Sequence, residues 1–158
     1  MIRKIITLPD GIDILRSKAI EVTEFDEDLH ELLDDMAETM LAANGVGLAA
    51  NQVGDLSRVM IVKFEGEITE YINPELIECS GKRDSEEGCL SLPGVFDTIE
   101  RENWIEVWYS DRHGNKFAKI VFGLESFIIQ HELDHLNGIV FSDHMSPGKK
   151  LAAMMKLR

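Results

Sequence analysis

Cysteine is scarce in this chain, and basic residues are outnumbered. Only two cysteines, Cys79 and Cys89, occur in 158 residues, which excludes a disulfide framework. The two could pair in an oxidising compartment. With no export signal in view, however, the expectation is a cytoplasmic chain with reduced thiols, and the question becomes whether either sulfur holds a metal. No apolar run approaches the roughly 20 residues needed to span a bilayer. The opening Met1-Ile2-Arg3-Lys4-Ile5-Ile6-Thr7-Leu8-Pro9 lacks a sustained apolar core and a small-residue cleavage site. It reads as mature protein rather than as a signal peptide. Repeats, low-complexity tracts and Pro/Gly/Ser linkers are also absent, so a single domain over residues 1–158 is expected.

Lys and Arg total 16 against 29 Asp and Glu, a formal net charge of −13. Such a surface repels polyanions, so neither DNA nor an anionic membrane is an expected partner. The exception is the tail, where Lys149, Lys150, Lys156 and Arg158 follow the last acidic residue, Asp143. That stretch is either a local docking patch or a solvated helix end carrying cations where they suit the helix dipole.

Against these absences, hydrophobic residues make up 44%, enough for an ordinary globular core. Leu29, Leu32, Leu33, Met36 and Met40 recur at helical spacing, predicting an amphipathic helix over Asp26–Ala43 with Asp26 as N-cap and Asn44-Gly45 as stop. The period then changes. Arg58–Phe64 and Ile99–Tyr109 are rich in β-branched and aromatic residues, and Asp111–Asn115 reads as a hairpin turn. Glu70–Pro74 reads as a strand ended by proline, with Leu76–Cys79 as its successor. A second helix is predicted over Leu124–Asn137, closed by Gly138 in the left-handed conformation. The fold class is α+β: antiparallel sheets packed around a central helix, plus an N-terminal amphipathic helix.

The second helix contains His131-Glu132-Leu133-Asp134-His135. Four residues make one turn plus about 40°, so both imidazoles leave the same face and can share one ion. Glu132 beside them can act on water at that ion. Taken alone, the pattern also fits two core histidines that only satisfy hydrogen bonds. A hydrolytic site wants three protein ligands and one open position. Cys89, in Glu87-Gly88-Cys89-Leu90-Ser91, is the thiol candidate, since Gly88 permits close approach and Pro93-Gly94 bends the chain away. By itself that cysteine reads more readily as a buried structural thiol than as a ligand. Cys79 reads as a small strand-end residue, and His30, His113 and His144 as surface or turn histidines.

Three segments taken together go further. Gly45-Val46-Gly47-Leu48-Ala49-Ala50-Asn51-Gln52 resembles the G-x-G-L-A-A-x-Q motif of peptide deformylases, Glu87–Ser91 their E-G-C-L-S motif, and Gln130–His135 their Q-H-E-x-D-H motif, in that family's order and spacing. The resemblance implies one deformylase-like catalytic domain that releases formate from the formyl-methionine of nascent polypeptides. It implies that Cys89, His131 and His135 bind one divalent metal, natively Fe²⁺ with Zn²⁺, Ni²⁺ or Co²⁺ able to occupy the site. It makes Glu132 the general acid/base, with Gln52 and the Leu90 N–H holding the formyl oxygen. The peptide would lie extended beside Gly45, Val46 and Gly47 on one wall and Glu87 and Gly88 on the other. Its first side chain would enter a pocket of Val46, Leu124, Phe127 and Ile128, residues that could otherwise simply pack the core. A transient ribosome contact through the basic tail is the further partner implied, and a bacterial, organellar or phage cytoplasm the implied setting. The N-terminal Leu8-Pro9-Asp10 corner, Glu102 after Arg101 and the short tail depart from the family pattern. The rival readings are a zincin-type metallopeptidase, whose third ligand could only be His144, and a metal-stabilised binding module without catalysis.

Overall fold

The computed structural model describes residues 1–157. Arg158, the last cation of the basic tail, lies outside the described residues.

A five-stranded antiparallel sheet in the order β1-β2-β3-β4-β5 organises the molecule: β1 Gly47–Ala49, β2 Val59–Phe64, β3 Glu67–Cys89, β4 Leu92–Ser110 and β5 Lys116–Phe122. The short α1 (Ile12–Leu15) and the longer α2 (Glu27–Ala42) precede it, and α3 (Gly123–Leu136) and α4 (Pro147–Lys156) follow. Strand β2 shows how the layers are fixed. Its first four residues are all buried, and period-two alternation sends them to opposite faces. Val59 and Ile61 pack with Leu29, Leu33, Met36 and Met40 of α2, while Met60 and Val62 pack with Ile128, Ile129 and Leu133 of α3. A third cluster joins Leu8 and Leu15 to Leu92, Val95, Phe141 and Ala153, seating the N-terminal segment on the start of β4 and on α4.

The helix ends follow their local chemistry. Asp26 accepts the Leu29 N–H at 3.0 Å, satisfying one of the donors a helix start leaves free. Gly138, at φ +76°, ends α3. Its N–H reaches the His135 carbonyl at 3.0 Å, and the Ile139 N–H reaches that of Asp134 at 2.8 Å.

Strand β3 differs from the expectation of two strands divided at Pro74. It is one element of 23 residues whose pairing with β4 shifts register between Ile72 and Glu75 and again between Leu76 and Glu78. Pro74 sits inside the first irregularity, where a missing N–H interrupts no regular ladder. Asn73 beside it has φ 52° and is held by paired 2.8 Å bonds with the Val22 backbone. Cys79 is therefore not a strand-end residue: it is exposed within β3, opposite Ile105. A third shift, between Gly88 and Cys89, closes the β3–β4 hairpin with Cys89 opposite Leu92. Cys89 thereby occupies a bent strand end.

Arg16 ties the N-terminal segment to the chain after α3 by gripping Asp143 with both terminal nitrogens, and Lys150 donates to the same carboxylate at 2.9 Å. Burial pushes the Asp143 carboxyl up, but the bonds from Arg16 and Lys150 outweigh it and hold the group well below the usual range. A depressed folded pKa gives stability that is complete above the unfolded value near 4 and is lost as pH falls through the folded one. Asp143→Asn should cost about 1 kcal/mol at pH 7, the pair being partly exposed and screened. The deficit should shrink towards zero in urea titrations carried to progressively more acid pH.

Candidate metal centre

Three elements converge on one side of α3. The helix is buried around much of its circumference, through Ile128, Ile129, Leu133 and Leu136 among others, so its polar side chains must find partners inside the protein. His131, Glu132 and His135 are all buried, at 8%, 4% and 0% exposure. The apex of the β3–β4 hairpin brings Cys89 to meet them. Its sulfur lies 3.3 Å from His135 Nε2, and one ligand atom from each of Cys89, His131 and His135 falls within 4.8 Å of the others. A thiol and two imidazoles form a donor set suited to zinc, iron or cobalt. His131 Nδ1 is engaged with Glu87 Oε1 at 2.7 Å, which leaves Nε2 free for an ion. The residues fit a metal.

Behind the cluster runs a chain of polar contacts that starts buried at Glu87 and Arg101 and ends at the surface. Arg101 clasps Glu87 with bonds of 2.8 and 2.9 Å and reaches Asp134 at 2.6 Å. Asp134 in turn accepts from His144 Nε2 at 2.9 Å. Burial alone would raise the Glu87 carboxyl, yet Arg101 and His131 hold it down at about 2. Burial likewise opposes the charged form of His131, but contacts with Cys89 and Glu87 prevail and push it well above its ordinary value. His135 goes the other way, driven down by burial and then by the neighbouring His131. Glu132 is raised to about 7, chiefly by burial.

The turn after β1 completes the wall. Gln52 lies on a 3₁₀ turn spanning Ala50–Val53. Its Oε1 accepts the Ala49 N–H at 3.0 Å, and its Nε2 faces Ser91 Oγ at 3.1 Å and Cys89 Sγ at 3.7 Å. Those contacts orient the amide donors towards the cluster. Gly47 lies against Glu132: a Cβ there would meet Oε1 at 2.7 Å, so only glycine leaves the carboxylate in place. At Gly88 a Cβ would meet the Phe96 ring at 2.5 Å.

A cavity of about 450 Å³ opens onto the cluster. Gly45, Val46, Gly47 and Gln52 line one side, and Glu87, Gly88, Cys89 and Leu90 another. Leu124, Phe127, Ile128, His131 and Glu132 of α3 close it. Of the residues singled out from sequence, only His135 is absent from the wall, because it sits fully buried behind. His144 stands outside the three-residue cluster, and the Asp134 contact accounts for it. His30 bonds the Arg112 carbonyl at 2.9 Å, and His113 is exposed.

Sequence reading passed over Arg101, Asn51 and Phe96. Arg101 carried a usable signal, because it shares strand parity with the buried Ile99 and Ile105 and so points inward. Asn51 occupies the unspecified position of its motif, and Phe96 had no signal beyond proximity to Pro93-Gly94.

Removing Arg101 would leave the Glu87 charge buried and short of its main partner, a defect that costs about 3–5 kcal/mol. Arg101→Met should show that loss in denaturant unfolding. Adding Glu87→Gln should recover a substantial part of it; an unrecovered double variant would show that the ion pair is not the cause.

Comparisons with known proteins agree with this geometry. The family model described as polypeptide deformylase matches residues 2–151. A peptide deformylase of Maricaulis maris is 43% identical over 163 residues, covering 99% of this chain and 92% of the relative. The crystal structure of a peptide deformylase from Legionella pneumophila superposes with a TM-score of 0.95 at 43% identity, covering 99% of this chain and 94% of that one. A peptide deformylase from Ehrlichia chaffeensis, solved in complex with actinonin, superposes with a TM-score of 0.93 at 38% identity, covering 99% and 95%. The chain belongs to the polypeptide deformylase family, metal-dependent enzymes that remove the N-terminal formyl group from nascent peptides.

Proposed function

We propose that Cys89, His131 and His135 hold the divalent metal of this deformylase, that Glu132 is its general acid/base, and that Gln52 and the Leu90 N–H hold the formyl oxygen. The convergence of Cys89 with the two imidazoles, within 4.8 Å, carries the reading. We assign the ion as Fe²⁺, with Zn²⁺, Ni²⁺ or Co²⁺ able to occupy the site; a thiolate beside two imidazoles suits each of these. When bound, such an ion supplies Lewis acidity and makes water nucleophilic near neutral pH.

The remaining work falls to the protein. Glu132, raised to about 7 by burial, is poised to take a proton from the attacking water and return it to the leaving amine. Its carboxylate is kept in place by the absence of a side chain at Gly47. As negative charge develops on the former formyl oxygen, the Gln52 amide opposes it, already oriented by Ala49 and Ser91. The Leu90 N–H is the second donor, and losing one such donor typically costs about 3 kcal/mol of barrier.

The peptide lies extended between Gly45-Val46-Gly47 and Glu87-Gly88, with its first side chain, methionine, among Val46, Leu124, Phe127 and Ile128. The support is the shared cavity that these residues line and the exposure of Val46 and Leu124 at its mouth. A transient ribosome contact through α4 belongs to the same reading, although the described lysines of the tail already have partners. Lys149 meets Asp97, Lys150 meets Asp143, and Lys156 meets the Gly94 carbonyl. We also assign the enzyme to a bacterial-type cytoplasm. Among the described residues no helix is long and apolar enough to cross a membrane.

Anaerobically purified protein incubated with formyl-Met-Ala-Ser should release formate, with about one metal ion per chain in the same sample. Glu132→Gln should keep the metal and lose 10²- to 10⁴-fold in turnover, the usual range for removing a positioned acid/base. Cys89→Ser should lose metal whereas His144→Ala should retain it; the reverse pattern would move the ligand set to the peptidase arrangement.

Gly47→Ala gives an independent check on the carboxylate's placement. It should bind metal normally yet lose about 10²-fold in kcat, because small misplacements of a reacting group have effects of that order. Unchanged turnover in that variant would refute the assigned position of Glu132.

A further inference from the structure

We infer that Asn51 is a positioning residue, locking the His135 end of α3 to the turn that presents Gln52. The inference rests on the metal-site reading above and concerns a residue to which that reading gives no role.

Asn51 and Gln52 are consecutive on the 3₁₀ turn Ala50–Val53, where successive side chains diverge by about 120°. They reach different parts of the site. Gln52 Nε2 faces Ser91 and Cys89 at the hairpin apex, while Asn51 Nδ2 donates to the His135 carbonyl at 2.7 Å. That carbonyl belongs to the last turn of α3, where carbonyl groups lack partners further along the helix. Its other donor is the Gly138 N–H at 3.0 Å. One short turn therefore fixes the amide facing the cluster and the backbone of a residue whose Nε2 lies 3.3 Å from the Cys89 sulfur.

The turn itself is well anchored. The Ile6 N–H reaches the Gln52 carbonyl at 2.7 Å, and the Asp55 N–H reaches that of Ala50 at 3.1 Å. Asn51 is 1% exposed, and its Oδ1 meets no donor among the described residues. A buried amide with one end unpaired is an expensive way to fill space. The bond it makes to His135 is what distinguishes this residue from an apolar one of the same size. Without that bond, the last turn of α3 loses its tie to the Gln52 turn, and His135 is free to shift against His131 and Cys89.

Asn51→Leu keeps the number and branching of the side-chain heavy atoms, with some added bulk, and removes the donor. Metal-free wild type and variant are reloaded with Co²⁺, whose visible absorption reports ligand geometry, and then mixed with excess EDTA to time metal loss. The expectation is a changed cobalt spectrum and roughly 10-fold faster metal loss, the scale of effect seen when a group supporting a ligand is removed. kcat at saturating metal should fall while KM for formyl-Met-Ala-Ser stays within about twofold.

Leu29→Ala, buried in α2, supplies a variant destabilised with the Asn51–His135 bond left intact. Asn51→Ala serves in place of Asn51→Leu if the leucine does not fold. Metal loss and spectrum matching those of Leu29→Ala would overturn the inference and leave Asn51 a packing residue. A wild type that takes up no cobalt would overturn this inference together with the metal-site reading, so the two failures are distinct.

Discussion

Everything at this site follows from burying a helix that carries two histidines and a glutamate. Apolar residues on α3 draw it against β1, β2 and β4, and the polar groups at 131, 132 and 135 are carried inside with it. Ionisable side chains out of water must be paired, ligated or neutral. The end of β3 and the inward side of β4 meet that requirement, with Glu87 on His131, Cys89 beside His135 and Arg101 on Glu87. The turn after β1 adds Asn51 on the His135 carbonyl and Gln52 beside Cys89. The sheet is thus both the packing surface for the helix and the source of its polar partners.

Sheet irregularities do much of the positioning. A regular β3–β4 hairpin would keep alternating side chains on fixed faces. Three register shifts along this pair break that regularity, and the last falls between Gly88 and Cys89. Bulges re-aim a side chain without giving up the surrounding ladder. Gly88 admits the Phe96 ring across the pair, as Gly47 admits the Glu132 carboxylate on the opposite wall. Gly47 is needed for what approaches it rather than for its conformation, whereas the exposed Phe96 ring could turn aside from a side chain at position 88.

Much of this was legible in sequence, and what was not has physical causes. The two longer helices, α2 and α3, were readable from their spacing and their ends: Asp26 bonds Leu29 N, and Gly138 is left-handed. The motif histidines were readable because i, i+4 spacing is local. The continuity of β3 through Pro74 was not, because a proline is compatible with a strand only at an irregularity, and irregularities depend on the partner strand's register. The pairing of Cys89 with α3 is a contact across 46 positions, which spacing alone cannot supply; resemblance to a family pointed to it before the fold did. Arg101 was missed for a related reason. Its value lies wholly in Glu87 and Asp134, one from each of two other elements.

The three buried titratable groups of α3 show why burial by itself does not set protonation. Burial is the largest influence on each, yet the outcomes diverge. His131 is raised, against its burial, by contacts with Cys89 and Glu87, and His135 is lowered by burial and then by the charge of His131. Glu132 has no hydrogen-bond partner for Oε2 among the described residues, and the loss of water outweighs the nearby charges of His131 and Arg101, raising it to about 7. A carboxyl at that point of its titration can accept and return a proton at the same pH, whereas Glu87, clasped by Arg101 and bonded to His131, stays ionised there. The two buried carboxyls therefore diverge through their partners, Arg101 on β4 and His131 holding Glu87 down while Glu132 has no comparable donor, and burial alone does not set the outcome.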